Sequence, residues 1–476
     1  MKLLSTAFAA FALLAATANA SPLARMEAES HNKTSHHHTK HAVQQQTQDQ
    51  SQGQSQHQNQ VQQQTQDQSQ NQDQDQTQQQ LLSSSGSSAT ASPTNASTTP
   101  SPTNGSSSGS SATVSPTNAS TTPSPTNGSS SSANAGASVK PASGGGPCTL
   151  SGTYKAGTDI SSCSSITIGS LTVPAGVTLD LSKAKTGATI TFTGNTTFGT
   201  EKWAGPLVLL GGSNLSVKGS GTLDGQGAWY WQQGQSITRP VFFRLENVID
   251  STLSGFTLKN SPFRTFSLVT CKYTTISGLT LDSRAGDGIA KNTDGFDLTE
   301  NDHITITGNT IYNQDDCLAM QSSTNTVFSN NYCCGGHGVS IGSLGGNDVD
   351  QSSTVQGLTV QGNHIENSDN GIRIKTIIGL QGLVSDVKYV QNQLSNVKNA
   401  IVLHSDYSKA KGGYTGSPTS LVTIQGVTIS GLTGSATNLY DICTDSKVVS
   451  DWTFSGINVS ASSAGKMMGQ PESVSV

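Results

Sequence analysis

The chain has 476 residues, of which 12% are charged, 5% are aromatic and 50 are glycine, and its formal net charge is −5. That length holds one large domain or two to three ordinary ones, and the glycine-rich, aromatic-poor balance suits a turn-rich repeat fold with a low-complexity tail. The negative balance excludes the basic footprint of a nucleic-acid binder, and beyond the first residues no apolar run is long enough to span a membrane.

Residues 1–20 read as a secretory signal: Lys2 supplies the charged start, an apolar run follows, and Ala18-Asn19-Ala20 forms a small-residue cleavage site. The run is shorter than the roughly 20 residues that a membrane anchor needs. Residues 21–80 are His-rich and then Gln/Asp-rich, with too little apolar surface to offset chain entropy. The histidines there specify no site geometry, so a soluble tail is expected rather than a metal site. Residues 84–146 are rich in Ser, Thr, Pro and Gly, and SPTNASTTPSPTNGSSS occurs at 92–108 and again at 115–131. This duplication reads as an O-glycosylated stalk, so 21–146 is expected to be a disordered linker. Asn95, Asn104, Asn118 and Asn127 sit in Asn-x-Ser/Thr acceptors there, and Asn195, Asn214 and Asn458 do so further on.

A folded domain is expected over 147–476, opening near Cys148. All seven cysteines lie after residue 147, as in an oxidising compartment. Cys148 and Cys163 close a short loop and would cap the first coil. Cys317 and Cys333 lie on adjacent turns and could pin them together, with Cys334 as a competing partner for Cys317. An odd count leaves at least one thiol unpaired. Strand patterning is vague before about residue 205 and sharp after it, and a long outward loop is expected over 406–418.

The informative stretch runs from Asn292 to Lys375. It contains NTDGFD (292–297), QDDCLAM (314–320), GGHGVSIG (335–342) and NGIRIK (370–375), each ending in a polar/apolar alternation of strand period. Overlaid, Phe296 and Leu298 match Leu318 and Met320, then Val339 and Ile341, Ile372 and Ile374, and Ile401 and Leu403. A small residue precedes each run, and before that lies a polar column of Asp294, Asp316, His337, Asn370 and Asn399, spaced by 22, 21, 33 and 29 residues. Between the clusters recur LSGFTL, ISGLTL, ITITGNTI and LTVQGNHI. Irregular repeats of this length, built of β-branched strands and Gly/Asn corners, predict an all-β solenoid, a parallel β-helix. Neighbouring coils stack about 4.8 Å apart, so Asp294, Asp315, Asp316 and His337 would share one ridge. Arg373 and Lys375, two apart on one strand, would project beside them.

Any one of these aspartates alone would read as a solvated surface. Three on one ridge must shift one another's protonation, and a protonated acid beside an ionised base is the apparatus of glycoside hydrolysis. Clustered carboxylates also suit Ca²⁺, although the histidine is a poor ligand for a hard cation. Arg373 and Lys375 would clamp an anionic substrate. The residues therefore point to a secreted hydrolase of an acidic polysaccharide.

NTDGFD, QDDC, GGHG and RIK, in this order and spacing over roughly 148–460, resemble the polygalacturonases of glycoside hydrolase family 28. QDDC resembles the fungal-type, endo-acting branch. The resemblance implies a right-handed parallel β-helix and inverting hydrolysis of α-1,4-linked polygalacturonate, the pectin backbone, with no metal or cofactor, by a secreted monomer. It further implies Asp315 as general acid, Asp294 and Asp316 as the pair that activates water, and His337 as support for the acid. Arg373 and Lys375 would hold the galacturonate carboxylate, with Asn292 and Tyr407 as further substrate contacts. In HSDY, Ser405 replaces the family's Gln or Glu, which weakens the match at Tyr407. The C-terminal disulfides of fungal members have no counterpart at Cys443, so the last coil is expected to fray. The competing readings are an exo-acting polygalacturonase or a rhamnogalacturonan hydrolase, then a Ca²⁺-dependent pectate lyase or a non-catalytic β-helix adhesin.

Overall fold

Phe296 and Leu298, fully buried, alternate along the strand Phe296–Thr299 with residues of the opposite face. The same alternation recurs coil after coil, and each strand pairs in parallel with its equivalents before and after. The registers are Phe266↔Phe296↔Leu318↔Val339↔Ile372↔Ile401. Closing such strands through successive crossovers gives a right-handed parallel β-helix. The computed structural model describes residues 146–474. The signal, tail and linker readings, and the four acceptor asparagines before residue 146, lie outside the described residues.

The runs LSGFTL, ISGLTL, ITITGNTI and LTVQGNHI are each split into two short strands by a corner glycine. Gly255, Gly278, Gly308 and Gly362 occupy these corners with φ between 62° and 83°, a region that a β-branched residue enters only with strain. The coils that begin at Phe243, Phe266 and Phe296 carry three strands each and those that begin at Leu318 and Val339 carry four, and the strand after each polar cluster lies on the site sheet. Apolar side chains fill the interior. Phe243, Phe266 and Phe296 stack along the axis, with ring centroids 5.3 and 5.0 Å apart.

At one inner corner, Asn309, Asn331, Asn363 and Asn392 form a ladder of buried amides. The side-chain Oδ1 of Asn331, Asn363 and Asn392 each accepts from both the backbone N–H and the Nδ2 of the asparagine one coil before, at 2.9–3.1 Å. Their amides also donate to carbonyls, as from Asn363 to Phe328 at 3.0 Å. Buried polar groups are thereby satisfied at corners where no ladder of strands exists.

Both ends are more regular than the sequence suggests. Strands begin at Pro147, and Pro147–Thr153 pairs with Ser165–Val173, so the coils that look vague before 205 are in register. Cys148 joins Cys163 there. Cys317 joins Cys333 and not Cys334: Cys333 points inward in register with Ile311, whereas Cys334 sits on the opposite parity. Cys271, Cys334 and Cys443 are free thiols. The expected fraying of the last coil is corrected, because Asn458–Met468 pairs along its length with Thr433–Cys443. Trp452, 1% exposed, closes this end of the core and donates to the Ile424 carbonyl at 3.1 Å. Asn195, Asn214 and Asn458 are exposed, as glycan acceptors must be. Among the described residues no helix is long and apolar enough to cross a membrane.

Candidate active site

The polar clusters sit at the entrances to consecutive strands of the site sheet. Asp294 precedes Phe296–Thr299, Asp315 and Asp316 precede Leu318–Met320, His337 precedes Val339–Leu344, and Arg373 and Lys375 lie within Asn370–Ile377. Close coil contact explains the small residues between. A Cβ on Gly295 would lie 2.5 Å from the Cys317 carbonyl oxygen, and one on Gly338, at φ +81°, would lie 2.0 Å from that of Asn370. Asn292, Asp294, Asp315, Asp316, His337, Arg373, Lys375 and Tyr407, six coil-borne groups and two flanking ones, all line one cavity.

Asp316 is the best-anchored carboxylate. Its Oδ1 accepts from Ser340 Oγ at 2.7 Å and from Arg373 Nη2, and its Oδ2 lies 3.5 Å from Lys375 Nζ. Arg373 Nε in turn donates to Ser340 Oγ at 2.9 Å. The two cations therefore meet a carboxylate of the protein as well as facing the cavity. Asp315 Oδ1 lies 3.0 Å from His337 Nδ1 and accepts the Asp316 backbone N–H at 2.8 Å. Two Asn313 contacts, 2.9 and 3.0 Å to the carbonyls of Asp315 and Asp316, fix the backbone that carries both carboxyls.

Burial acts to raise the Asp315 carboxyl, but His337, Lys375 and Arg373 outweigh it and hold Asp315 well below the usual carboxylate range. The Asp315 charge raises His337 against the opposing effect of its burial. The free site thus stores a proton on the His337–Asp315 pair, on the imidazole side. Asp294 behaves oppositely: burial, and then repulsion from Asp315 and Asp297, push it far up.

Sequence reasoning missed Asp297, Arg264 and Ser340, which also belong here. Asp297, 3% exposed, is raised to about 7 by burial, with Arg264 acting against the rise from 3.4 Å away. Arg264 and Arg239 flank the Phe263 ring, with guanidinium carbons 5.2 and 4.7 Å from its centroid. Arg239 donates at 2.9 Å to Asn292 Oδ1, which leaves the Asn292 amide N–H₂ for another acceptor. The signals were present in the sequence. Arg264 is the polar-column member one coil before Asp294, and Asp297 shares its register column with Ser340 and Arg373.

Two groups of side chains come close enough to share a cation: Asp315, Asp316 and His337, and separately His404, Asp406 and Cys443. In the first, Arg373 and Lys375 already supply the positive charge that a divalent ion would bring, and a second cation there would be repelled. In the second, Asp406 is committed to His404 Nδ1 at 2.7 Å and to the Gly416 N–H at 2.6 Å.

Residues 163–475 match the model of the glycosyl hydrolases family 28. The chain is 43% identical over 323 residues to a polygalacturonase of Cochliobolus carbonum, covering 66% of this chain and 87% of that one. It is 40% identical over 336 residues to a polygalacturonase of Saccharomyces cerevisiae, covering 69% and 92%. Among solved structures it is similar to endopolygalacturonase I of Stereum purpureum complexed with two galacturonates, at 28% identity and a TM-score of 0.50, over 66% of this chain and 99% of that one. With a parallel β-helix, a carboxylate ridge on its site sheet, and a family match across nearly the whole described domain, the chain belongs to the glycosyl hydrolases of family 28.

Proposed function

We propose that this family 28 hydrolase is a secreted polygalacturonase that cleaves the α-1,4-galacturonosyl linkages of polygalacturonate within the chain, with inversion and without a metal. The observation that carries the reading is a cavity in which four carboxylates and a histidine face two arginines and a lysine. The relatives named polygalacturonase support the substrate, because they match this chain along most of their own length.

Arg373 and Lys375 grip a galacturonate carboxylate by sharing their charge between it and Asp316. Asp294 and Asp316 orient the attacking water, and Asp316, the carboxylate that faces Arg373 and Lys375, takes its proton. Asp315 protonates the departing glycosidic oxygen. Its proton comes from the pair it forms with His337: filling the groove strips water from that pair, and a drier site favours the neutral form, imidazole plus carboxylic acid, over the ion pair. As the leaving oxygen takes the proton, the pair becomes neutral imidazole plus carboxylate, and a proton from the activated water restores the balance across the site. Asn292 and Tyr407 contact the sugars on either side. The domain is taken to span 147–476, with a signal over 1–20 directing secretion and a linker over 21–146 that contributes nothing to chemistry.

The test is to incubate the secreted protein with polygalacturonate and follow viscosity, chain length and the anomeric form of the new reducing ends. A fast fall in viscosity with few ends released, and inverted product, is expected. Single galacturonate units released from one end would replace this reading with an exo-acting enzyme. Unsaturated ends lost on chelation would replace it with a lyase.

A further inference from the structure

The loop expected to point outward over 406–418 instead folds back toward the groove. Tyr407 pairs antiparallel with Tyr414, and Ser408 with Gly413, across a helical turn at Lys409–Lys411. The hairpin is fastened from below. Fully buried Asp406 accepts the Gly416 N–H on its carboxylate at 2.6 Å and the Thr415 N–H on its carbonyl at 3.0 Å. Its other carboxylate oxygen lies 2.7 Å from His404 Nδ1. The His404 ring lies flat under that of Tyr414, with centroids 3.7 Å apart and planes at 19°.

This arrangement orients one aromatic ring. One face of Tyr414 covers His404, which is only 5% exposed, while Tyr414 itself remains 38% exposed. With His404 against one face, the exposure of Tyr414 comes from the rest of the ring. The charges that act on its phenol are those of Arg373, Lys375, Asp441 and Asp316. Tyr407 meets it edge-on at 6.0 Å and lies 5.5 Å from Lys375 Nζ. Exposed large aromatics are few on this surface, and an open ring held rigid beside a carboxylate clamp suits the C–H face of a pyranose.

We propose that Tyr414 is a sugar-binding platform, forming with Tyr407 the wall of a subsite that flanks the Arg373–Lys375 clamp on the C-terminal side of the coil stack. The ligand is the galacturonate unit next to the one whose carboxylate the clamp holds, so the proposal rests on the polygalacturonase reading above. The buried His404–Asp406 pair acts through Tyr414, as a positioning device that fixes the platform's height.

The experiment uses the full chain and separates the two readings. If the parent protein releases no ends from polygalacturonate, the proposed function fails first. With activity in hand, Tyr414→Phe, Tyr414→Leu and Tyr414→Ala are compared on end-labelled tri- to hexagalacturonates. Phenylalanine should keep the parent rate and bond-cleavage register. Leucine and alanine should each lower kcat/KM on penta- and hexagalacturonate about tenfold, as loss of one stacked ring implies. They should also shift the cleaved bond along the oligomer and alter the trimer less. Leucine still covers His404, so it tests the platform even if alanine loosens the hairpin. Calorimetric titration of hexagalacturonate into Asp315→Asn, with and without Tyr414→Leu, should show the same loss in binding without turnover. The proposal is overturned if leucine matches phenylalanine in rate and register, if trimer and hexamer fall equally, or if hexagalacturonate binds both inactive proteins alike.

Discussion

Asp297→Asn isolates one term in the protein's pH-dependent stability. The Asp297 carboxyl stands at about 7 in the folded protein against 3.8 for the free side chain, chiefly through burial. Between those values the folded state holds a proton that the unfolded chain releases, so stability is fully present below about pH 4 and is lost as pH rises through 7. A difference of about three pKa units corresponds to at most about 4 kcal/mol. For roughly 330 ordered residues that is about 6 °C in Tm. Asp294 is raised by the same causes, so the loss belongs to the pair and Asp297 carries part of it. Asparagine cannot titrate. The variant should show a flattened Tm profile between pH 4.5 and 7.5, the range over which the parent's carboxyl loses its proton. Differential scanning calorimetry at five or six pH values reads the profile. A parent Tm that rises toward pH 7.5, or a variant whose profile runs parallel to the parent's, would refute the reasoning.

Three further outcomes follow from the site. Asp315→Asn should lower kcat on polygalacturonate by roughly 10²–10⁴ with little change in KM, as loss of proton transfer implies; near-parent turnover would sink the acid assignment. Lys375→Ala should raise KM, with a smaller fall in kcat because Nζ also faces Asp316 at 3.5 Å; an unchanged KM would remove it from substrate binding. The profile of kcat/KM should fall above neutrality as the proton held by His337 and Asp315 leaves. Chelator should leave it unmoved, and an optimum on the alkaline side that vanishes with chelator would contradict the scheme.

The register of the site sheet was fully legible in the sequence, because a period of two with identical phase in every coil leaves one solution for pairing. Asp294, Asp315, Asp316, His337, Arg373 and Lys375 were legible for the same reason. Asp297 was not, since inside NTDGFD it looks like an ordinary polar partner of Phe296 and Leu298; only its alignment with Arg373 three coils later reveals it. The partnership of Arg373 with Asp316 was hidden because parity gives the face of a side chain but not its reach. The hairpin over 407–414 was read as an outward loop because its direction is set by Asp406 and His404, two buried polar residues whose partners lie about ten residues away or in another coil. The N-terminal coils were obscured where a polar residue points inward, as the buried Thr196 does in Asn195–Phe198.

The asparagine ladder has a practical consequence. Its members are separated in sequence by 22, 32 and 29 residues, yet each makes the same bonds to the next. The ladder fixes the axial pitch while ignoring how much chain is spent between rungs. The longest interval contains the surface segment 345–353, which leaves the coil after Leu344 and rejoins it at Thr354. That segment is a natural splice point: peptide of another length or sequence can be grafted there, and the rungs at Asn331 and Asn363 will hold the flanking coils in step. Rim loops of this enzyme are thus exchangeable parts, whereas a single deletion inside a rung-bearing corner would throw every later coil out of phase.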